Sequence, residues 1–395
     1  MKKVVSTERI PIKIWLEDLE EGALAQAKNL ANLPFAFKQI PIMPDSHQGY
    51  GMPIGSILAT KGVVIPNAVG VDIGCGMCVQ KTNIKDLDKE SLKNILSEAR
   101  KLIPLGFNWH DEAQSEDFMP KIDFEDLKIV SRGMTKARKQ VGSLGGGNHF
   151  IEIQKGDDGF IYVMIHSGSR NLGHSVATYY NKLATKMNEK WHSVVTKKME
   201  LAFLPIETDE AKNYIKEMKY CVAFAFANRK LMMKRTMEAI EIVVSKNIKN
   251  KDFKFETGDI INESHNFAAW EYHFGENVIV HRKGATRAFE GELGMIPGSQ
   301  GTKSYIVRGK GNPESFNSCS HGAGRKMGRK QAIRTLNLED EIALLDKQDI
   351  VHAIRNKSDL DEATSAYKDI QVVMNNQKDL AEIVVELTPL AVLKG

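Results

Sequence analysis

The sequence predicts an α+β protein with mixed sheets and an embedded helical lobe. Short apolar segments separated by glycine-rich turns, a pattern typical of strands, fill residues 39–85 and 150–166. A stretch with helical periodicity follows at about 174–247, and strand-like segments return at 278–281 and 304–308. With strands on both sides of one helical insert, the pattern predicts a mixed α+β protein.

The order of the segments supports each part of this prediction. Residues 86–140 are more polar and partly helical in pattern. Residues 150–153 and 160–165 read as a hairpin joined by a Gly-Asp-Asp-Gly turn. From about residue 325 the pattern is helical to the end of the chain. Since no linker-like composition is visible, we expect one domain, residues 1–395, with a helical insert at about 174–247.

Composition narrows the class of protein. The 395 residues are 42% hydrophobic, enough for a substantial core. The mean hydropathy is −0.31, and no apolar run reaches the ~18 residues of a membrane span. No apolar stretch of signal-peptide length follows the first charges, so we expect a cytoplasmic protein. The net charge of 54 − 50 = +4 permits a polyanionic partner without requiring one.

The residues best suited to catalysis or metal binding concentrate in glycine-rich turns. Glycine lets a backbone approach a ligand closely, and catalytic groups favour loops on a rigid scaffold. The turns lie at 43–55, 69–77, 144–152, 166–174, 262–267 and 318–325.

Asp72 and Cys75 could bind a common metal ion, because a carboxylate and a thiol three residues apart in a turn can converge. A buried cysteine beside a surface aspartate is the competing interpretation. The four cysteines predict thiols or metal ligands rather than disulfides in a reducing compartment. Cys75 and Cys78 form a lone C-x-x-C, so a structural zinc ribbon is not expected.

Three histidines strengthen the hypothesis of a metal site. His149 and His166 flank the predicted hairpin, and His265 comes from a distant turn. A single histidine is usually structural, but three of them with an aspartate and a cysteine indicate a two-metal site suited to phosphoryl chemistry. Thiolate and imidazole suit zinc or iron and carboxylate suits manganese or magnesium, so the ligand types leave the metal open.

His321 lies in a turn, His-Gly-Ala-Gly-Arg, that enters a basic, helix-compatible stretch. Such a turn presents backbone N–H groups to an anion, and Arg325 could clamp phosphate oxygens. The turn is not a Walker A loop, and an incidental histidine in a tight turn is the alternative. A second glycine-rich turn at 296–302 could serve the same anion or merely link two strands. The cations of 281–287 fit a solvated face or an RNA phosphate track.

The motifs, taken together and in order, resemble the RtcB RNA ligase family over nearly the whole chain. They are MPDxHxGxGxPIG, VGVDIGCGM, GGGNHFIE, HSGSR, HN, HRKGATRA, PGSxG, SCSHGAGR and a terminal LKG. The resemblance implies an α+β fold with mixed sheets around a dinuclear manganese site. It implies that Cys75 bridges two Mn²⁺ ions, with Asp72 and His149 on one ion and His166 and His265 on the other.

The resemblance also implies a nucleotide site. His321 would be the nucleophile that takes GMP from GTP. Guanine nucleotide contacts would come from Asn148, His149, Phe150, Ile151, Glu152, His265, Asn266, Pro297, Gly298, Ser299, Gln300, Ser304, His321, Gly322, Ala323, Gly324, Tyr367 and Lys394. Three positions depart from the family pattern, at Ser46, at Gln300 and in 361–367, where a proline is missing, and they bear on selectivity rather than on the reaction class.

The implied function is an RNA ligase. It would join a 2′,3′-cyclic phosphate or 3′-phosphate end to a 5′-hydroxyl end through a GMP-histidine intermediate and a guanylate-activated RNA 3′ end. The alternatives are a metal-dependent RNA phosphodiesterase, with His321 as general acid, and a non-catalytic RNA-binding relative. The sequence leaves open whether the RNA belongs to tRNA splicing or RNA repair, and whether an Archease-type accessory protein takes part.

Overall fold

Both helices and strands build the fold in the computed structural model, which describes residues 1–247 and 254–395. The α+β prediction is confirmed. The helices are α1 (Glu21–Ala31), α2 (Lys89–Leu102), α3 (Lys128–Gln140), α4 (Arg170–Lys190), α5 (Asp209–Asn247), α6 (Arg329–Thr335), α7 (Leu338–Asp346) and α8 (Ile370–Asn376). Short 3₁₀ turns lie at Pro66–Ala68, Glu116–Phe118, Lys197–Met199, Pro313–Ser315, Lys357–Glu362 and Thr364–Ala366.

The strands form two large sheets and two small ones. They are β1 (Lys3–Val5), β2 (Ile12–Ile14), β3 (Ile40–His47), β4 (Ile54–Thr60), β5 (Val63–Val64), β6 (Gly76–Lys81), β7 (Phe150–Gly156), β8 (Ile161–Ser167), β9 (Leu204–Pro205), β10 (Ile261–Ser264), β11 (Asn266–His273), β12 (Glu276–Lys283), β13 (Ala285–Arg287), β14 (Leu293–Ile296), β15 (Ser304–Gly309), β16 (Ser318–Ser320) and β17 (Ala381–Lys394).

One sheet has the order β1-β2-β3-β4-β12-β11, and the other has the order β10-β6-β8-β7-β17-β15-β14. The first is mixed, because β2 and β3 pair in parallel whereas β3 and β4 are antiparallel. Pairs β13-β16 and β5-β9 complete the described sheets. The predicted hairpin is β7-β8, antiparallel with Phe150 opposite His166.

Successive side chains of the second sheet point to two different faces. One face packs against helices, and the other, which carries His166, is called the reactive face. On β8, Ile161, Val163 and Ile165 pack in one apolar cluster with side chains of α2 and α5. Because successive side chains of a strand point to opposite faces, Met164 and His166 face the other way. The same rule places Phe150 and Glu152 on the face of His166, opposite Ile151 and Ile153.

Helices α4 and α5 lie in the stretch where the sequence predicts a helical insert. The single-domain organisation stays a prediction. Within residues 1–247 and 254–395, no helix combines the length and the apolar character needed to cross a membrane.

The prediction of a helical C-terminal third is wrong for its last segment. Helices α6, α7 and α8 are short, and the chain ends in the long strand β17, which pairs with β7 and β15. Pro389 is tolerated there because it lies at a shift of register between Pro389 and Ala391, where a ladder hydrogen bond is not required. The β17–β7 pairing places Lys394 opposite Phe150 and so brings the end of the chain to the reactive face.

Candidate active site and metal centre

A cavity of about 440 Å³ opens over the reactive face of the second sheet. Each of the six glycine-rich turns identified in the sequence contributes to its wall. The turn at 296–302 contributes as well, through Pro297, Gly298, Ser299 and Gln300. The cavity therefore unites motifs that are more than two hundred residues apart in the chain.

Three predicted metal ligands form a tight buried group. The donor atoms of Cys75, His149 and His166 all lie within 4.8 Å of one another. The Cys75 Sγ is 3.3 Å from the Nε2 of His149 and 3.3 Å from the Nε2 of His166. The Nδ1 of His166 donates to the Asn148 carbonyl at 3.1 Å, which leaves its Nε2 as a lone-pair donor toward the thiol.

The two remaining predicted ligands flank this group. The Oδ2 of Asp72 lies 3.2 Å from the Nε2 of His149. His265 contacts His166 on the other side, with ring centroids 5.2 Å apart, and its backbone N–H donates to the Cys75 carbonyl at 2.8 Å. The order Asp72, His149, Cys75, His166, His265 is thus the order that two ions sharing the thiolate would require.

Electrostatics also fit a cation at this site. Burial, followed by the nearby rings of His149 and His321, holds the pKa of His166 well below its ordinary value, so the imidazole is neutral. Burial likewise lowers the pKa of His265. Burial and the Asp72 carboxylate raise the pKa of the Cys75 thiol. Neutral imidazoles, a carboxylate and a thiol that needs a positive neighbour to ionise form a donor set suited to transition metals.

A buried arginine of helix α5 fixes the segments that carry these ligands. The Nη1 of Arg229 donates to the carbonyls of Gly74, at 2.9 Å, and Ser167, at 2.8 Å. These residues adjoin Cys75 and His166 in the chain. Its Nη2 lies 3.4 Å from the Oγ of Ser264, which precedes His265. The Arg229 side chain therefore contacts all three segments that carry the predicted ligands Cys75, His166 and His265.

His321 adjoins the predicted metal ligands on the side of His265, and the two ring centroids are 4.7 Å apart. Its Nδ1 donates to the Oδ2 of the fully buried Asp45 at 2.7 Å. The same oxygen accepts the backbone N–H groups of His321, at 3.0 Å, and Gly322, at 3.3 Å. Burial alone would raise the pKa of Asp45, but the charge and hydrogen bond of His321 hold that pKa below its ordinary value. The carboxylate therefore keeps the proton on Nδ1 and leaves Nε2 free.

Gly324 allows the His321 turn to close over Asp45. Its φ is +73°, and a Cβ at this position would stand 2.0 Å from the Asp45 carbonyl oxygen. A larger residue would push the turn off the carboxylate.

Comparison with known proteins decides the family. The family model described as tRNA-splicing ligase RtcB matches residues 26–395. The chain belongs to the RtcB family. RNA-splicing ligase RtcB1 of Escherichia coli is 37% identical over 100% of this chain and 99% of its own length. The RNA-splicing ligase RtcB of E. coli K12 is also 37% identical over the same shares. The tRNA-splicing ligase RtcB of Thermococcus kodakarensis is 32% identical over 98% of this chain and 95% of its own length.

Most of the nucleotide contacts implied by the RtcB resemblance line the cavity. They are Asn148, Phe150, Glu152, His265, Asn266, Pro297, Gly298, Ser299, Gln300, His321, Gly322, Ala323, Gly324, Tyr367 and Lys394. Three others do not appear on its wall: His149 lies in the group with Cys75 and His166, Ile151 packs in the apolar core, and Ser304 accepts the Gly298 N–H at 3.1 Å. Ser304 therefore supports the 296–302 turn from behind.

Two buried polar atoms on this wall lack a hydrogen-bond partner within the described part of the chain. They are Oε1 of Glu152 and Oε1 of Gln300. Burial raises the pKa of Glu152 to about 8, although Lys394 acts in the opposite direction. Buried polar groups without partners are costly in a folded protein, and a polar ligand in the cavity of this RtcB-family chain would satisfy them.

Arg325 does not offer its guanidinium to the cavity in the way the sequence suggested. Its Nη1 donates to Glu362 at 3.0 Å and its Nη2 to the Asp361 carbonyl at 2.6 Å. Arg329 donates its Nε to the other Glu362 oxygen at 2.7 Å, while its side chain is 51% exposed. The Arg325 guanidinium is thus divided between the Glu362 carboxylate and the Asp361 carbonyl, and the more exposed Arg329 is the more available cation.

Several residues of the site were not among the predicted site residues, among them Asp45, which is hydrogen-bonded to His321, and the cavity residues Lys283 and Glu362. Asp45 stands inside the MPDxH motif, Lys283 inside HRKGATRA, and Glu362 in the segment before Tyr367. Lys283 is buried, donates to the carbonyls of Tyr50 and Asn67, and has a pKa lowered to about 8 by burial. The motifs signalled the first two, whereas only the fold brings Glu362 to Arg325.

Proposed function

We propose that this protein is an RNA ligase that joins a 2′,3′-cyclic phosphate or 3′-phosphate end to a 5′-hydroxyl end, with GTP and two Mn²⁺ ions. The observation that carries the proposal is the pairing of His321 with Asp45 beside the thiol–imidazole cluster. A histidine whose Nδ1 is held by a buried carboxylate and whose Nε2 is free has the arrangement of a nucleophile.

The first step forms a covalent bond to the protein. The Nε2 of His321 attacks the α-phosphorus of GTP, the bond from that phosphorus to the leaving pyrophosphate breaks, and a GMP-histidine results. Asp45 accepts the hydrogen bond of Nδ1 throughout and stabilises the positive charge that develops on the ring. The backbone of the 321–324 turn and the polar wall at Ser299 and Gln300 would hold the nucleotide.

The metal ions would be held by Asp72, Cys75 and His149 on one side and by Cys75, His166 and His265 on the other. Bound there, they would neutralise charge on phosphate oxygens. The chain's own contribution is to fix the ligands, through the His166–Asn148 hydrogen bond and the Arg229 contacts with Gly74 and Ser167.

The remaining steps transfer GMP to RNA and seal the strand. Water first opens a 2′,3′-cyclic phosphate to a 3′-phosphate. An oxygen of that 3′-phosphate attacks the guanylate phosphorus, and the bond to Nε2 breaks. The 5′-hydroxyl then attacks the 3′-phosphorus, GMP leaves and a phosphodiester forms. Covalent catalysis in this way divides one difficult condensation into easier steps.

The names of the relatives support RNA as the substrate, since they are called RNA-splicing and tRNA-splicing ligases. We therefore propose RNA with broken ends as the partner, in tRNA splicing or RNA repair. An Archease-type accessory protein and a cytoplasmic location complete the proposal.

Labelling with α-³²P-GTP tests the proposal. With Mn²⁺, the purified protein should carry a label through denaturing electrophoresis that is acid-labile and base-stable, as a phosphoramidate is. A metal-dependent phosphodiesterase would have no need of GTP. RNA cleavage by metal-loaded protein with no covalent label would contradict the ligase.

Asp45→Asn should slow the labelling by about 10²- to 10⁴-fold, because an amide neither stabilises the ring charge nor enforces the Nδ1 proton. Metal content should equal that of the wild type, since Asp45 is not among the predicted ligands. Asp18→Asn, at an exposed aspartate, is the matched control and should label normally. A wild-type labelling rate in Asp45→Asn would remove its role in positioning His321.

A further inference from the structure

Helices α3 and α4 concentrate positive charge beside the cavity. Together they carry nine lysines and arginines and one glutamate, a net charge of +8. The whole chain has a net charge of only +4, so all other residues together have −4. This segregation is typical of a surface that binds a polyanion.

Five of the positive side chains on α3 and α4 are free to bind a partner. Arg132 and Lys136 of α3 and Lys182, Lys186 and Lys190 of α4 are all exposed. Among the ion pairs found in residues 1–247 and 254–395, none involves these five side chains. They repeat at intervals of four residues on each helix, so each set follows one side of its helix.

The two helices form one surface. A Cβ at Gly133 of α3 would stand 2.7 Å from the Cδ1 of Leu172 of α4, so the backbones approach closely there. At the other end of the contact, Lys128 Nζ lies 3.4 Å from the hydroxyl of Tyr179. We call the exposed side of α3 and α4 that bears these five cations the basic face.

The basic face adjoins the cavity. A smaller cavity of about 110 Å³ is lined by Ala177, Thr178, Asn181 and Lys182 of α4 and by Pro66, Asn67, Gly70 and Val71. The last three of these also line the large cavity of the candidate active site. Lys182 therefore lies beside a wall that the two cavities share.

Two exposed aromatic side chains stand on the loop that follows α2. Phe107 is fully exposed and Trp109 is 43% exposed, which is unusual for side chains of this size. Their loop is fixed to the site and to α3: Arg170 Nη2 donates to the Gly106 carbonyl at 2.6 Å, and the His110 N–H donates to the Lys139 carbonyl at 2.9 Å. The Gly106 region also approaches Gly395, next to the cavity residue Lys394.

We propose that the basic face and the Phe107–Trp109 loop form a track for single-stranded RNA that leads to the candidate active site. The cations of α3 and α4 bind the phosphates, and the two aromatic rings stack on unpaired bases beside the broken end. Charge alone would also suit an acidic protein, but exposed rings next to a phosphate-binding surface are the combination that binds unpaired nucleotides. The inference rests on the proposed function, since it assumes that RNA ends react in the cavity.

Binding of a fluorescein-labelled, single-stranded 3′-phosphate RNA to the full-length protein, measured by anisotropy at several salt concentrations, tests the track. Arg132→Gln/Lys136→Gln should weaken binding and reduce the salt slope by about 1.4, because two phosphate contacts are lost. Lys182→Gln/Lys186→Gln should do the same. Phe107→Ala/Trp109→Ala should weaken binding by about 30-fold or more, because two stacked bases lose their contacts. The salt slope should be unchanged, because stacking carries no charge.

The matched control is Lys93→Gln/Arg100→Gln on α2, which removes one lysine and one arginine that are equally exposed. Helix α2 packs on the opposite face of the second sheet, so this variant should bind as the wild type does. Labelling of His321 by GTP should be normal in every variant, since it involves no RNA.

The outcomes separate the track from the proposed function. RNA binding that falls equally in the control and in the α3 variant would overturn the track and leave the ligase intact. Unchanged RNA binding in the α3 and α4 variants would likewise overturn it. A wild-type protein that binds no RNA would instead contradict the proposed function.

Discussion

His321→Ala should fail to join a 3′-phosphate RNA to a 5′-hydroxyl RNA in the presence of GTP, yet should still seal an RNA whose 3′ end already carries the guanylate. The rate of joining the 3′-phosphate RNA should fall on the order of 10⁴-fold or more, which is the usual effect of removing a covalent nucleophile. The second activity should persist because sealing requires the metal site and the RNA ends but no further bond to His321.

Metal content is the internal control for this variant. His321 contacts His265, so retained manganese would show that only the nucleophile was removed. Full joining of 3′-phosphate RNA by His321→Ala would place the nucleophile elsewhere. Loss of both reactions with retained metal would contradict the division into steps.

Cys75→Ala should lose or weaken both metal ions together and abolish every step. The Sγ stands 3.3 Å from the Nε2 atoms of His149 and of His166, between the two predicted ligand sets. Removing His149 should mainly affect one ion, and removing His166 or His265 the other. Elemental analysis after dialysis measures the difference.

Cys78→Ala provides the matched control, because Cys78 is equally buried but belongs to the apolar cluster with Ile151 and Ile165 on the packed face. It should keep both ions. Undiminished metal content and ligation in Cys75→Ala would refute the dinuclear assignment, whereas equal losses in both cysteine variants would indicate a general defect of folding.

The sequence indicated which residues could form a site, but it indicated little of how they come together. His149 and His166 were expected at one edge because a hairpin joins them, and β7-β8 pairing places them so. The approach of His265 and His321 depends on the β13–β16 pair and on the first sheet, in which β12 pairs with β4 across more than two hundred residues. Periodicity carries no information about such contacts.

Two further features lay beyond the reach of local patterns. The sequence pattern predicts a helical end of the chain. The segment is instead the strand β17, because it pairs with β7 on one side and with β15 on the other. Tertiary pairing commonly overrides local preference in strands. Arg229 lies in a helix whose periodicity was correctly recognised, yet only the fold shows that its guanidinium binds the carbonyls of Gly74 and Ser167.

The most direct test of the central proposal is the end chemistry of ligation. With GTP and Mn²⁺, purified protein should join an RNA ending in a 2′,3′-cyclic phosphate or 3′-phosphate to a 5′-hydroxyl RNA, and a 5′-phosphate partner should be inert. A ³²P label placed in the 3′-phosphate should appear in the new phosphodiester. Efficient joining of a 5′-phosphate to a 3′-hydroxyl, or a linkage without the 3′ label, would contradict the account.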